Sequence, residues 1–323
     1  MRKKVFCLFF FIIGNLFASV SYNTAKKIEK SSPILSIVLY EDILANSKNK
    51  KVIQNAVNRL YYLYMRYNKY DDLFILNHEH PPGKSTQKKI DKLLKKISHD
   101  FRIEEGVLKE VFKLTVQKDI SYRKKLLDLL KSEHDDLTLK YILKYIFAIK
   151  IKIKDFESLR YIISEFPILY PDLRMVYYVA SREENVDKVM QELSAISDLS
   201  HAEKLDLLFY YATYLKNIGQ YRMSVRFFRM SYSFSQKNQS KHSVNRSMLE
   251  TAKTLLIAGK SKDGCKLIKG YKFPIENEGD EVLDIYCNKG KQNKKKLQVL
   301  KPSLVLLAEK ENGQLYKKIL KGL

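Results

Sequence analysis

Gly83-Lys84-Ser85-Thr86 stands just before a helical run and has the form of the end of a phosphate-binding loop. Such a loop needs another Gly five residues before the second one, a strand leading in, and backbone N–H groups free to wrap phosphate oxygens. Position 78 is His, and Pro81 and Pro82 remove two of those donors. The segment reads as a loop and a capped helix, with Ser85 or Thr86 at the N-cap ahead of QKKIDKLLKKI. No nucleotide is expected. His78-Glu79-His80 places two imidazoles and a carboxylate close together, but a metal needs a further convergent ligand. The other histidines, His99, His134, His201 and His242, are scattered. No metal and no cofactor are expected.

Acidic pairs at Glu104-Glu105, Asp135-Asp136 and Glu183-Glu184 fall at helix starts or turns, where they complement the helix dipole. Glycoside hydrolysis needs two carboxylates about 5–9.5 Å apart in a cleft, and no Glu-Ser pair opens a lysozyme-like segment. A G-x-S-x-G elbow is absent, as is a Cys/His arrangement suited to nucleophilic catalysis. The expectation is a protein without catalytic residues. The rival is an enzyme acting on cell-wall polymer.

Charge is the next feature with chemical consequences. The 323 residues carry 59 basic against 36 acidic side chains, a formal net charge of +23. Lysines far outnumber arginines and are spread along helix faces and through loops, as in the run from Lys289 to Lys296 (KGKQNKKK). That dispersal, with the export signal described next, argues against a nucleic-acid partner. An anionic envelope surface is the better electrostatic match.

Met1 to Lys4 (MRKK) is a basic start, Val5 to Phe17 is mostly apolar, and small residues follow at Ala18, Ser19 and Ser21. This is the layout of a secretory signal peptide, cleaved near Ala18. The alternative is a retained anchor, although the apolar run falls short of the roughly twenty residues of a span and contains Asn15. The chain is therefore expected to be exported, periplasmic or otherwise envelope-associated. Removal of Cys7 with the signal leaves Cys265 and Cys287 as a candidate disulfide pair, flanking the turn-rich segment GYKFPIENEGDE.

The elements that must position these groups read as helices. Gly (11) and Pro (7) are scarce, together about half of ordinary usage, which disfavours an all-β fold. The 22 Tyr and 16 Phe exclude simple disorder. Apolar residues recur every three to four positions, as at Val52-Ile53, Ala56-Val57, Leu60 and Leu63-Tyr64. IKIKIKDF (149–156) is the one strand-like alternation, and it is equally compatible with the end of a helix. Breaks near residues 81–83, 133–135, 167–171, 198–202, 236–241 and 272–279 leave pieces one or two helices long.

One segment carries more. Gly219, Tyr221, Ser224, Phe228 and Ser231 follow one another at spacings of 2, 3, 4 and 3, behind Leu208, Tyr211-Ala212 and Leu215. Forty residues later Ala252, Leu255, Gly259, Gly264 and Ile268 repeat much of it. Asn68-Lys69-Tyr70, Lys154-Asp155-Phe156 and Glu184-Asn185-Val186 keep the turn-then-apolar spacing alone. The pattern resembles the tetratricopeptide repeat, with its best match over 203–271. The resemblance implies an all-α fold of antiparallel helical hairpins stacked as a solenoid, with a concave groove for a partner peptide or helix. It points to Tyr210, Thr213, Tyr214 and Asn217 as groove residues. The expected layout is a signal at 1–18, a helical region at 19–135 and a repeat region at 136–323. The expected role is a protein–protein interaction scaffold or adaptor in an envelope-associated assembly.

Overall fold

The computed structural model describes residues 22–132, 136–166, 170–182, 185–238, 241–270, 275, 277–288, 291–310 and 313–323. The expected signal at 1–18, Cys7, His134, Asp135, Glu183, Glu184 and Lys289 lie outside them. Every regular element among the described residues is helical. After a helical stretch at 22–28, the helices in chain order are α1 (Pro33–Asn46), α2 (Lys50–Arg66), α3 (Tyr70–Glu79), α4 (Lys84–Asp100), α5 (Glu105–Thr115) and α6 (Ser121–Lys131). Then come α7 (Asp136–Lys152), α8 (Phe156–Glu165), α9 (Pro171–Ser181), α10 (Val186–Ser194), α11 (His201–Asn217) and α12 (Tyr221–Lys237). The last six are α13 (Lys241–Ile257), α14 (Ser261–Gly270), α15 (Glu278–Cys287), α16 (Lys291–Val299), α17 (Lys301–Glu309) and α18 (Gln314–Lys321). No helix among the described residues is long and apolar enough to cross a membrane.

A local device recurs along this series. The helices α2, α4, α7, α11 and α13 are each 17 residues long. In each case the second residue after the helix is left-handed: Asn68 (φ 54°), Arg102 (φ 53°), Lys154 (φ 59°), Gly219 (φ 83°) and Gly259 (φ 93°). This conformation lets the chain fold back so that late amides reach the last carbonyls. Ile103 N donates to Ser98 O (3.0 Å), Asp155 N to Lys150 O (2.9 Å) and Lys260 N to Leu255 O (2.8 Å). Four of the five links, 67–69, 153–155, 218–220 and 258–260, are three residues long. The alternation at 149–156 is one of them: it is helical up to Lys152 and then turns through Lys154. Gly83 occupies the N-cap of α4, with Ser85 and Thr86 inside its first turn. The extended backbone set up by Pro81-Pro82 carries up to Gly83 and fixes the helix start there.

The chain divides into two compact units, one formed by Met1–Asn68 with Gly219–Leu323 and the other by Lys69–Ile218. The two helices of the best-matching repeat, α11 and α12, belong to different units. In the first unit α1 is apolar on nearly every side and buries Ile34, Leu35, Ile37, Val38, Leu39, Tyr40 and Ile43. It packs against α2, α15 and α17. Ser32 precedes it without making a side-chain cap. The cap comes from far along the chain: Glu281 Oε2 of α15 accepts from Leu35 N at 2.9 Å, and Ser303 Oγ of α17 donates to Leu35 O at 3.2 Å. Burial pushes the Glu281 carboxyl up to about 7, against the pull of the Leu35, Ser32 and Ile34 donors. Lys253 of α13 is also buried and reaches Asp280 Oδ1 at 2.7 Å and Glu250 Oε1 at 2.8 Å. Burial would lower its pKa, but the two carboxylates hold it above the ordinary lysine value.

Small residues set the close approaches in this unit. Ser231 Oγ of α12 meets Ser247 Oγ of α13 at 2.8 Å in a buried pair. A Cβ on Gly264 of α14 would come within 2.8 Å of Leu256 Cγ and 3.0 Å of Ala252 O on α13. Cys265 of α14 and Cys287 at the end of α15 are both buried and joined as a disulfide.

Two outcomes are expected. Below its ordinary value of 4.5, Glu281 is protonated folded and unfolded alike and imposes no charge penalty. Between 4.5 and about 7 the folded chain keeps the proton that the unfolded chain has lost, so stability falls as pH rises and levels off above. Urea denaturation across that window should show Glu281→Gln removing a drop of about 3 kcal/mol. Replacing Cys265 and Cys287 together by Ser should lower stability by about 3 kcal/mol, from the loop the bond closes.

Candidate functional site

In the unit formed by 69–218, helices pack in an alternating order. α8 packs on α7 and α9, and α10 packs on α9 and α11. α9 in turn packs directly on both α7 and α11, so these three helices lie side by side. The predicted groove residues lie on α11. Its start is fixed by a capping box in which Ser200 Oγ accepts from Glu203 N (3.2 Å) and Glu203 Oε2 accepts from Ser200 N (2.9 Å). Leu205, Phe209, Ala212 and Leu215 are its buried stripe. That leaves Tyr210, Thr213, Tyr214 and Asn217 half-buried beside the stripe.

These four do not act alike. Tyr210 lies within electrostatic reach of the Lys144 ammonium of α7 and sets its ring edge-on to Phe209, 5.9 Å between centroids. Tyr214 lies nearly parallel to Tyr211 at 6.1 Å, and the Tyr211 hydroxyl donates to Asp187 Oδ1 of α10 at 2.6 Å. Burial raises the pKa of both phenols, with Asp187 adding to it; Tyr211 reaches about 12. Thr213 Oγ1 donates to Phe209 O at 3.0 Å, so its hydroxyl serves the helix first. The structure thus places Tyr210 toward α7 and the Tyr211–Tyr214 pair toward α10. Cys265 and Cys287, joined in the other unit, have no part in this surface.

Between α7, α9 and α11 lies a charge cluster that helical periodicity alone does not reveal. Asp172, in the first turn of α9, is fully buried. Lys140 Nζ stands 3.4 Å from its Oδ1 and Lys144 Nζ 3.6 Å from its Oδ2, distances of ion pairing longer than ordinary hydrogen bonds. Each lysine also reaches an acid on α11: Lys140 meets Glu203 Oε1 at 3.4 Å and Lys144 meets Asp206 Oδ2 at 3.3 Å. Burial pushes the Asp172 carboxyl above the usual aspartate range, opposed by the two lysines and aided by Asp206. Burial would lower Lys144, but Asp206 and Asp172 keep it raised. Asp172 opens no oxygen to solvent, and through Lys140 and Lys144 its charge links α9 and α7 to the acids of α11. α11 also presents the half-buried Tyr210, Thr213, Tyr214 and Asn217. Lys140 and Lys144 are one helical turn apart on α7 and so meet Asp172 from the same face. Asp172 resembles any acid in a first turn.

A second buried ion pair holds α7 to the start of α8. Lys150 Nζ donates to Asp155 Oδ2 and to Gln117 O, both at 2.6 Å, and Asp155 Oδ1 caps α8 through Ser158 N at 3.2 Å. Burial lowers the Lys150 pKa, with the Asp155 contact opposing it. Among the described residues no group of three His, Cys, Asp or Glu side chains is placed to hold a metal ion. His78 and Glu79 end α3, with His80 as its C-cap.

No family model, curated protein or solved structure matches this chain.

Because burial of the Asp172 charge outweighs what the lysines return, a neutral isostere should lose little. Asp172→Asn is expected to cost about 1 kcal/mol or less, whereas Asp172→Ala leaves the lysines facing a void and should cost about 3 kcal/mol. Urea denaturation of the two variants measures the difference.

Proposed function

We propose that this chain is an exported, non-catalytic scaffold or adaptor of an envelope-associated assembly. In this reading α7, α9 and α11 are the first helices of tetratricopeptide-like hairpins, and they hold a partner's peptide or helix along their common face. The observation that carries the proposal is the alternating packing, in which α9 touches both α7 and α11 while α8 and α10 fill the layer behind. Stacked hairpins put their first helices side by side in this way. The outer two, α7 and α11, share the 17-residue length and the left-handed second link residue, which supports the same reading for them. Tyr210, Thr213, Tyr214 and Asn217 then lie on the gripping face.

Export rests on the basic-apolar-small N-terminus and gains support from the buried Cys265–Cys287 bond. Such bonds persist in oxidising compartments. The net charge of +23 favours a second reading, attachment to an anionic envelope surface, and the two differ in salt dependence.

Crosslinking in the native envelope, followed by purification at low and high salt, separates them. The scaffold reading expects one or two defined proteins that survive high salt and are lost in the Tyr210→Ala, Tyr214→Ala double variant. Recovery of lipid or wall material alone, falling away as salt rises, favours the surface reading. Partner retention by the double variant removes the interface from α11.

A further inference from the structure

The helix α12 lies in the unit formed by Met1–Asn68 with Gly219–Leu323, and its faces divide sharply by residue type. Ser224, Phe228, Ser231 and Ser235 are buried, and the helix packs against α13. Elsewhere around it Arg222, Arg226 and Arg229 are exposed. They stand at i, i+4 and i+7, which sets them in one row along the helix. Met223 and Met230 form a second row one position on, and they are 40% and 45% exposed. Three cations and two apolar side chains thus share an open surface.

This surface differs from the solvated lysines of the other helices. Among the described residues none of the three arginines has an ion pair, a hydrogen bond or a ring contact. No acid close in sequence answers them, since residues 207–249 contain no Asp or Glu, and Glu250 of α13 meets Lys253 at 2.8 Å. Like charges one turn apart repel, so the row weakens the helix with no return within the chain. The residue types are also unusual for this protein. Its basic residues are mostly lysine, yet α12 uses arginine at every basic position before Lys237 at its end. Arg and Met are enriched in protein interfaces, where Lys is depleted. Arginine grips a carboxylate with two parallel N–H groups, which lysine cannot do. Methionine is pliable enough to pack on a varied apolar surface.

We propose that this face of α12 docks an acidic amphipathic helix of a partner protein. Carboxylates one turn apart on the partner meet Arg222, Arg226 and Arg229, and an apolar residue beside them packs between Met223 and Met230. The arginine row rises about 10.5 Å over seven residues, a span that acids at i, i+4 and i+7 of a second helix match. An extended strand, with same-side residues about 6.8 Å apart, meets only part of the row. A second copy of this chain is a poor occupant because it brings the same net charge of +23. The proposal does not depend on the reading given for α11.

The chain contains no Trp, so the emission of a Trp-tagged peptide is read without background. The probe is an alanine-based helical peptide with Glu at i, i+4 and i+7, Leu at i+1 and i+8, and one terminal Trp. Adding the full chain should raise its anisotropy along a saturable curve, with binding that weakens as salt rises. A peptide with both Leu replaced by Ala should bind about tenfold more weakly. Arg222→Ala, Arg226→Ala and Arg229→Ala combined should weaken the parent peptide by about tenfold or more. Lys88→Ala, Lys92→Ala and Lys95→Ala combined remove as many charges from exposed positions of α4, and should weaken it by less than about twofold. Circular dichroism shows that both triple variants are folded, and the alanine peptide tests the unaltered chain in any case. Absence of saturable binding overturns the proposal, as do equal losses in the two triple variants or equal affinity for the two peptides. Phosphatidylglycerol vesicles that bind through the same arginines and displace the peptide would assign the face to lipid and overturn it as well. The Tyr210→Ala, Tyr214→Ala double variant should bind the peptide unchanged, so failure at α12 and failure at α11 are read separately.

Discussion

The amides at the start of α1 have no local cap, and the fold of one unit turns on how they are satisfied. Ser32 makes no side-chain cap, and α1 is too apolar to leave its first turn in water. Glu281, 246 residues from Leu35 along the chain, supplies the acceptor, and Ser303 takes up the Leu35 carbonyl. Putting a carboxyl there is electrostatically apt at a helix N-terminus, yet burial makes it a weak acid. A group that closes the unit is therefore also one that feels neutral pH. The Cys265–Cys287 bond ties α14 to α15, the helix that carries Glu281, so covalent and electrostatic constraints meet on one element.

Elsewhere the architecture is made by repetition of a cheap local event. A helix of fixed length ends, one residue adopts the left-handed conformation, and the next helix begins. Gly219 and Gly259 do this without a side-chain penalty. Asn68 is among the non-glycine residues that tolerate it, whereas Arg102 and Lys154 carry some strain. That strain is sustained at Lys154 because its neighbours Lys150 and Asp155 are locked in a buried ion pair across the same turn. Turn geometry and ion pairing stabilise one another there.

Much of this was legible in the residues. Helical periodicity, the scarcity of Gly and Pro, and the turns at Asn68, Lys154, Gly219 and Gly259 are local properties, set by a few neighbours. The small residue at Gly264 was legible too, since only a close helix crossing demands it. What local pattern could not carry is pairing at a distance. Nothing in residues 33–46 says that Glu281 will meet them, and Lys140, Lys144, Lys150 and Lys253 look like the many solvated lysines around them. The start of α4 shows the same limit on a smaller scale. Ser85 and Thr86 are the better capping residues by type, but the extended Pro81-Pro82 backbone hands the cap to Gly83. At the α11 surface, the repeat resemblance groups Tyr210, Thr213, Tyr214 and Asn217 as one groove face, whereas the contacts of Tyr210 and Tyr214 lead to α7 and α10 separately.

The unit formed by 69–218 interrupts the other in the chain, and this has a consequence for biosynthesis. α1 and α2 emerge before the interrupting segment, but α15 and α17, against which α1 must also close, emerge after it. The interrupting segment is complete in itself and can collapse while synthesis continues, since domains fold as units and earlier ones first. Through that interval the strongly apolar α1 has α2 alone to pack against and lacks α15 and α17, leaving it exposed to aggregation and to any chaperone that binds greasy segments. Maturation of this unit is therefore timed by the emergence of α15 and α17, and loss of those helices does its damage at α1.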